Sequence, residues 1–344
     1  MAWLLIFGSI ALLLFISHVF STIKNYRLVA SAGFPTQITI ASGIHPLFMI
    51  GNVSVREFLK KLPWPLCDFG TYAFYGWTYE DYSNGNTHNR LGPIWAMATS
   101  WGNELVVADP EAAMVLLTKW KVFTKPPTQQ SLALFGPNLD TVEGSDWNRH
   151  RRLTAPCFNE KSSSVVWSES LAQAEGMLKR FTSAGKEGLT SIADDTGTLA
   201  LNVLSRVAFG METGFDTGTN KPAPGYTLSF QQAIQQIIRN LVPCVIFGSK
   251  LTASIMPASL RIAGTGYVEY GKYVDDIVDR EKEKLATGND TSNNLISVLL
   301  RAVQTDEQQV PSQDKAFTEA DVKGNCFIFA VAGKSLSNLE NDTI

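Results

Sequence analysis

The first twenty residues constrain this chain more than any others. No side chain from Met1 to Phe20 is charged, and residues 3–7, 10–16 and 19–20 are almost wholly apolar. A helix rises 1.5 Å per residue, so about 20 residues cross the hydrocarbon of a bilayer. Lys24 and Arg27 follow directly, and no basic side chain precedes the run. Positive charge stays on the cytoplasmic side, which predicts a luminal N-terminus and a cytosolic body. A cleaved secretory signal is the competing reading. It would begin with a basic segment and carry a shorter apolar core, and Ala30-Ser31-Ala32 stands beyond both cations. The run therefore reads as an uncleaved transmembrane anchor over residues 1–22.

The remainder has ordinary globular character. Of 344 residues, 45% are hydrophobic and 18% charged, far from the disordered class. A net charge of -3 and a pI near 5.9 give no basic excess for a nucleic-acid partner. The cysteines, Cys67, Cys157, Cys244 and Cys326, lie far apart. They form neither a zinc pattern nor a disulfide scaffold, as suits buried thiols in a reducing compartment. His18, His45, His88 and His150 are scattered, with His150 read as a bystander on its helix. No Gly-x-Ser-x-Gly or His-Glu-x-x-His motif occurs, so a hydrolase has no support.

Residues 23–90, rich in glycine, proline and aromatics, read as a linker and irregular segment. Short apolar runs at 94–99 and 104–108 flank Trp101-Gly102-Asn103, the pattern of a hairpin. Asp109-Pro110-Glu111 then opens a helix, with a capping aspartate and proline at its first position. Ala112, Val115, Leu116 and Trp120 continue it at helical spacing. Beyond Lys125-Pro126-Pro127 the periodicity predicts helices over 145–158, 163–183, 190–209, 226–241, 260–286, 292–303 and 318–333. The polar stretch 304–316 reads as a surface loop. The apolar stretch 241–260, broken by two prolines, fits core or an interaction surface equally.

The most informative segment is Gly144-Ser145-Asp146-Trp147-Asn148-Arg149-His150-Arg151-Arg152. Ser145 or Asp146 would cap a helix on which Trp147 and Arg151, at i and i+4, share one face. An indole N–H beside a guanidinium makes an anion clamp, since arginine bonds a carboxylate with two parallel N–H groups. Arg149 and Arg152 fall on other faces and read as solvated; a plain basic surface helix is the bland alternative.

Trp-x-x-x-Arg after a glycine resembles the cytochrome P-450 helix whose tryptophan and arginine hold a haem propionate. Val122-Phe123-Thr124-Lys125 resembles the place of a further basic propionate contact. Gly92-Pro93-Ile94 with the hairpin and Asp109-Pro110 resembles the family's first sheet and helix. Thr198 to Leu204 with Phe209-Gly210 resembles a later one. Phe317 to Gly333 is similar to the entry of the long helix crossing the distal face of the haem, and Thr318 and Asp321 would cap it. Fungal members share this texture best.

The resemblance implies a mainly α fold with a small β-sheet: the N-terminal part of the cytochrome P-450 fold, over residues 91–333 in one large domain, preceded by one transmembrane helix. It implies haem, with Trp147 and Arg151 gripping it, Lys125 assisting, and Ala332 and Gly333 lining the oxygen side. The activity implied is a haem-dependent monooxygenase acting on a small apolar organic substrate. Electrons would come from NADPH through a P-450 reductase, and the site of residence would be the endoplasmic reticulum membrane, single-pass with the body facing the cytosol.

Two family features are missing from these residues. No cysteine has arginine two positions before it, so the Phe-x-x-Gly-x-Arg-x-Cys loop that supplies the axial thiolate is absent, and no arginine has glutamate three positions earlier. After Ala332-Gly333 the expected acid and threonine are replaced by Lys334-Ser335-Leu336-Ser337-Asn338. A phosphate loop at Gly333-Lys334-Ser335 is excluded because the required glycine position holds Ile328. Residues 334–344 thus read as a non-homologous tail, of the kind a retained intron or a frameshift would encode. The expectation is a poorly stable, inactive chain with weak or absent haem binding. A membrane-anchored helical binding or scaffold protein is the alternative.

Overall fold

A computed structural model describes residues 2–39, 61–63, 86–183, 192–215, 221–287, 294–309 and 316–338. The chain divides into two compact units, Met1–Thr124 and Lys125–Ile344.

In the first unit, helix α1 (Ala2–Ser31) runs past the expected anchor end at residue 22. It holds one stretch long and apolar enough to cross a membrane, with Leu12, Leu13, Leu14, Phe15 and Phe20 exposed. Its last turns are not a linker. They pack on a three-stranded sheet, where the Asn25 amide donates to the Thr99 carbonyl at 2.8 Å. Strand β1 (Thr36–Ile38) falls inside the segment expected to be irregular, and much of that segment, 40–60 and 64–85, lies outside the described residues. Helix α2 (Asn86–Leu91) precedes the expected hairpin, β2 (Ile94–Ala98) and β3 (Asn103–Val107). β1 pairs parallel with β2, and β2 pairs antiparallel with β3, setting Ala96 opposite Leu105. The Thr99 hydroxyl accepts both the Trp101 and Gly102 N–H groups at 3.1 Å, which closes the turn. Three residues make too short a run for alternation to be visible in β1; only its partner reveals it.

Helix α3 (Pro110–Thr118) has the expected cap, with the Asp109 carboxylate accepting from Ala112 N–H at 2.8 Å. It stops at Thr118, so Trp120 is not part of it.

The second unit is helical: α4 (Gly144–Thr154), α5 (Glu160–Ser183), α6 (Ile192–Phe209), α7 (Phe230–Arg239), α8 (Leu241–Phe247), α9 (Ala258–Ala286), α10 (Leu295–Gln309) and α11 (Glu319–Asn338). Its core joins Phe230, Ile234 and Ile237 of α7 to Tyr270, Val274 and Ile277 of α9, Leu299 of α10 and Phe327 of α11. Tyr270 is fully buried among the rings of Phe135, Phe230 and Phe327. The expected single helix over 226–241 starts later and divides. Ser229 and Gln232 form a reciprocal capping box at Phe230, which nucleates the start there. Pro243 has no N–H for the Arg239 carbonyl and its ring crowds that group, so α7 ends and α8 begins anew. The apolar stretch 241–260 is mixed: Cys244 and Leu251 are core, whereas Ile246, Phe247 and Ile255 are exposed. Part of the expected loop 304–316 is helical, because α10 continues to Gln309; residues 310–315 lie outside the described residues.

One backbone contact brings α11 against the loop that leads into α4. A Cβ on Gly324 would lie 2.2 Å from the Pro137 carbonyl oxygen and 2.4 Å from that of Gly136. Gly136, at φ +137°, would meet the Ala320 carbonyl in the same way. Neither partner is a flexible side-chain tip, so the chains must separate to admit even a methyl group. Gly324→Ala is expected to cost about 1–3 kcal/mol, in the range of core overpacking. A denaturant titration checks this, and an unchanged midpoint would mean that the two backbones do not touch.

Candidate functional site

The candidate site begins with the loop before α4. Asn138 is buried, and its side-chain oxygen accepts the N–H groups of Asp140 and Thr141 at 3.1 Å, which makes a tight turn. The Tyr267 hydroxyl donates to the Leu134 carbonyl at 3.0 Å. The Lys125 ammonium donates to the carbonyls of Leu139 at 2.7 Å and Val142 at 2.9 Å, while its backbone N–H is accepted by the Glu143 carboxylate at 2.8 Å. Burial lowers the Lys125 ammonium from its ordinary value, against the opposing charges of Glu143 and Asp140. Lys125 therefore stitches the loop at the foot of α4, and no direct contact joins it to Trp147 or Arg151 among the described residues.

The helix starts at Gly144, whose φ of +59° suits glycine. Neither Ser145 nor Asp146 is the cap. The cap position is Glu143, with no side-chain cap bond because its carboxylate is turned to Lys125. Asp146 sits in the first turn, where the helix dipole favours an acid, and pairs with Arg149 at 3.1 Å. Arg149 is accordingly not solvated as expected: its side chain is only 14% exposed. Arg152 is exposed.

Trp147 and Arg151 do share a face. The guanidinium carbon stands 5.3 Å from the indole centroid, a cation–π stack. Trp147 is half-buried and Arg151 exposed, and Arg151 has no carboxylate partner among the described residues.

His150 departs most from expectation. It is fully buried, not a bystander. Its Nδ1 lies 2.9 Å from the Asn325 amide nitrogen and its Nε2 lies 3.3 Å from the Asp321 carboxylate, both on α11. The Phe317 ring meets the imidazole edge-on at 5.0 Å. Asp321 also accepts from the backbone N–H and hydroxyl of Thr318, which confirms the expected capping pair. Burial works to raise the Asp321 carboxyl, but the bonds from His150 and Thr318 outweigh it and hold it below the usual aspartate range. The signal for His150 was present in its spacing. Positions 147, 150 and 154 fall on one side of a helix whose positions 146, 149, 151 and 152 are charged.

Farther along α11, Ala332 lines an apolar cavity of about 620 Å³, with Val166 of α5, Leu199 and Val203 of α6, Leu295 of α10 and Phe329. Gly333 is helical, and α11 continues beyond it to Asn338. Among the described residues no group of histidines, cysteines and carboxylates is placed to hold a metal ion. Cys244 and Cys326 are buried and Cys157 half-buried. Burial pushes the thiols of Cys157 and Cys244 up to about 11, and that of Cys326 higher still. Cys67 lies outside the described residues.

Known proteins resemble this chain in sequence and fold. A cytochrome P450 monooxygenase of Penicillium roqueforti is 27% identical over 76% of this chain and 46% of its own length. One of Arthrobotrys oligospora is 26% identical over 81% of this chain and 51% of its own. A phomenoic acid biosynthesis cluster cytochrome P450 monooxygenase of Leptosphaeria maculans is 24% identical over 97% and 60%. The chain thus spans about half the length of the curated relatives it matches. Among solved structures, a retinoic acid-bound cyanobacterial CYP120A1 superposes with a TM-score of 0.52 at 12% identity, covering 76% of this chain and 53% of the other. The cytochrome P450DA heme domain does so at 0.52 and 15%, covering 88% and 58%. These two show a common fold. The family model described as Cytochrome P450 matches residues 71–335, which contain α4, its buried histidine and most of α11; the chain belongs to the cytochrome P450 family.

Proposed function

We propose that these residues form the propionate-binding and distal side of a haem monooxygenase, and that Trp147 and Arg151 hold the acid arms of the porphyrin. The observation that carries this reading is the stacked pair itself. An indole donor and an exposed guanidinium with no acidic partner among the described residues, one helical turn apart, are the donor set a carboxylate arm requires. Stacking on the indole also limits the rotamers of Arg151, so less side-chain entropy is lost when an anion binds. The donors of this chain fit the group.

Haem, when bound, supplies the iron at which oxygen is activated for insertion into an apolar organic substrate. The chain's own residues do the rest. Arg151 offsets the negative charge of a propionate and Trp147 shields that contact from water. Lys125 holds the loop at the foot of the helix, and the third donor of its ammonium adds positive field near the same arm. Ala332 and Gly333 give α11 a surface without bulk, where a flat ring and a small substrate approach closely. Helix α1 anchors the body to the endoplasmic reticulum membrane, with Lys24 and Arg27 on the cytosolic side. Electrons reach the site from NADPH through a membrane-bound reductase.

The thiolate side is not furnished by these 344 residues. Burial raises the thiols of Cys157, Cys244 and Cys326, which disfavours the thiolate form that iron ligation needs. None of them follows an arginine by two positions. In this reading these residues by themselves take up haem weakly and do not complete the oxygen-activating site.

Two measurements check this. In a haemin titration followed by absorbance, Arg151→Gln and Trp147→Phe are each expected to weaken uptake about tenfold, the worth of one charge-assisted bond. Unchanged affinity in both would refute the clamp. The carbon monoxide form of the reduced 344-residue chain is expected to lack the thiolate-type Soret band; its appearance would show that one of the four cysteines ligates iron after all.

A further inference from the structure

The helix that carries the clamp is short and mostly exposed, and His150 and Thr154 are its two buried side chains. Thr154 turns its hydroxyl back to the His150 carbonyl at 2.8 Å, within the same helix. His150 reaches outward instead, and its partners fix its chemical state.

Asn325 orients the whole arrangement. Its Oδ1 accepts the Leu139 N–H at 2.9 Å, so its other atom is the NH₂ group. That nitrogen donates to the Asp321 carbonyl at 2.7 Å and faces His150 Nδ1 at 2.9 Å. A donor facing Nδ1 requires Nδ1 to be the acceptor, which leaves the ring proton on Nε2. Nε2 is the atom beside the Asp321 carboxylate, at 3.3 Å. The imidazole thus meets α11 at both ends, through a hydrogen bond at Nδ1 and, at Nε2, through a 3.3 Å approach to the carboxylate that is not aligned as a hydrogen bond. Through Leu139, the same asparagine also holds the loop that enters α4.

We infer that His150 is a positioning residue for the Trp147–Arg151 clamp: its bridge to Asp321 and Asn325 sets the rotation of α4 about its axis. This rests on the reading that the clamp grips an anionic arm. At 100° per residue, Trp147 and Arg151 lie to one side of His150 on the helix, so a roll about its axis swings both together. Side-chain ends lie about 5–6 Å from a helix axis, so a roll of about 20° moves them by about 2 Å. A binding site tolerates about 0.5 Å. A single buried bridge is therefore enough to make or lose the clamp geometry while the helix stays folded.

The test uses the 344-residue chain labelled with 5-fluorotryptophan, with the Trp147 resonance assigned from Trp147→Phe and Trp167 on α5 as the reference. His150→Phe keeps a ring of similar shape and removes both polar ends. It is expected to shift the Trp147 fluorine resonance and leave that of Trp167 in place, and His150→Gln, which offers an acceptor and a donor, is expected to restore it. If His150→Phe does not fold, Asp321→Asn keeps the helix cap and weakens the same bridge, and should give a smaller shift in the same direction. A Trp147 resonance that stays put, or that moves only together with Trp167, overturns the inference. Haemin titration then separates the inference from the reading beneath it. His150→Phe should weaken uptake about tenfold in the otherwise unchanged chain, and adding it to the Trp147→Phe/Arg151→Gln double variant should weaken uptake no further. Losses that multiply mean that His150 acts by a route other than the clamp, and the inference fails. No effect of either Arg151→Gln or Trp147→Phe on uptake refutes the clamp, whatever the fluorine spectra show.

Discussion

The second unit depends on what one amide, that of Asn325, does on α11. It takes the N–H of Leu139, gives to its own helix at Asp321, and meets the imidazole of His150. Two stretches of chain far apart in sequence, residues 139–150 and α11, are joined through a side chain with no solvent exposure. A buried amide left unpaired costs about 1–3 kcal/mol, so each partner is needed for the others to be tolerated. That mutual requirement makes the contact specific as well as stabilising. Hydrophobic burial would hold α4 near α11 in several rotations; the polar network admits one.

The backbone contact beside it acts in the same direction. Because Gly324 and Gly136 carry no Cβ, α11 comes close enough for the Asn325 amide to reach the loop. The small residues set the distance, and the polar residues set the register. Lys125, expected as a contact for the cofactor, works from the opposite side of the same loop by tying down the Leu139 and Val142 carbonyls. The site is built on a loop clamped at both edges, and α4 is the rigid element that emerges from it.

Much of this was legible in the sequence where the signals are local. The hairpin around Gly102, the Asp109 cap, the Thr318–Asp321 cap and the pairing of Trp147 with Arg151 all depend on residues within a few positions of one another. What the sequence hides are residues whose state is decided at a distance. His150 looks like one more charged position among arginines until α11, about 170 residues onward, supplies an aspartate and an asparagine. Arg149 looks solvated until Asp146 is seen to hold it and burial closes over it. β1 is invisible without β2 beside it. The division between α7 and α8 is local, since a proline four residues after Arg239 removes the bond a continuous helix needs. The family resemblance pointed to Trp147 and Arg151, but it carried no information about the buried histidine beside them.

The docking of α1 on the sheet has a mechanical consequence. Only Ala32 to Pro35 separate the last helical residue from β1, and Asn25 is already bonded to the end of β2. A bilayer that took up the apolar part of α1 would hold this sheet like a short bracket, not on a slack leash. The sheet would then keep a constant height above the lipid headgroups, and its tilt would follow that of the helix within the membrane.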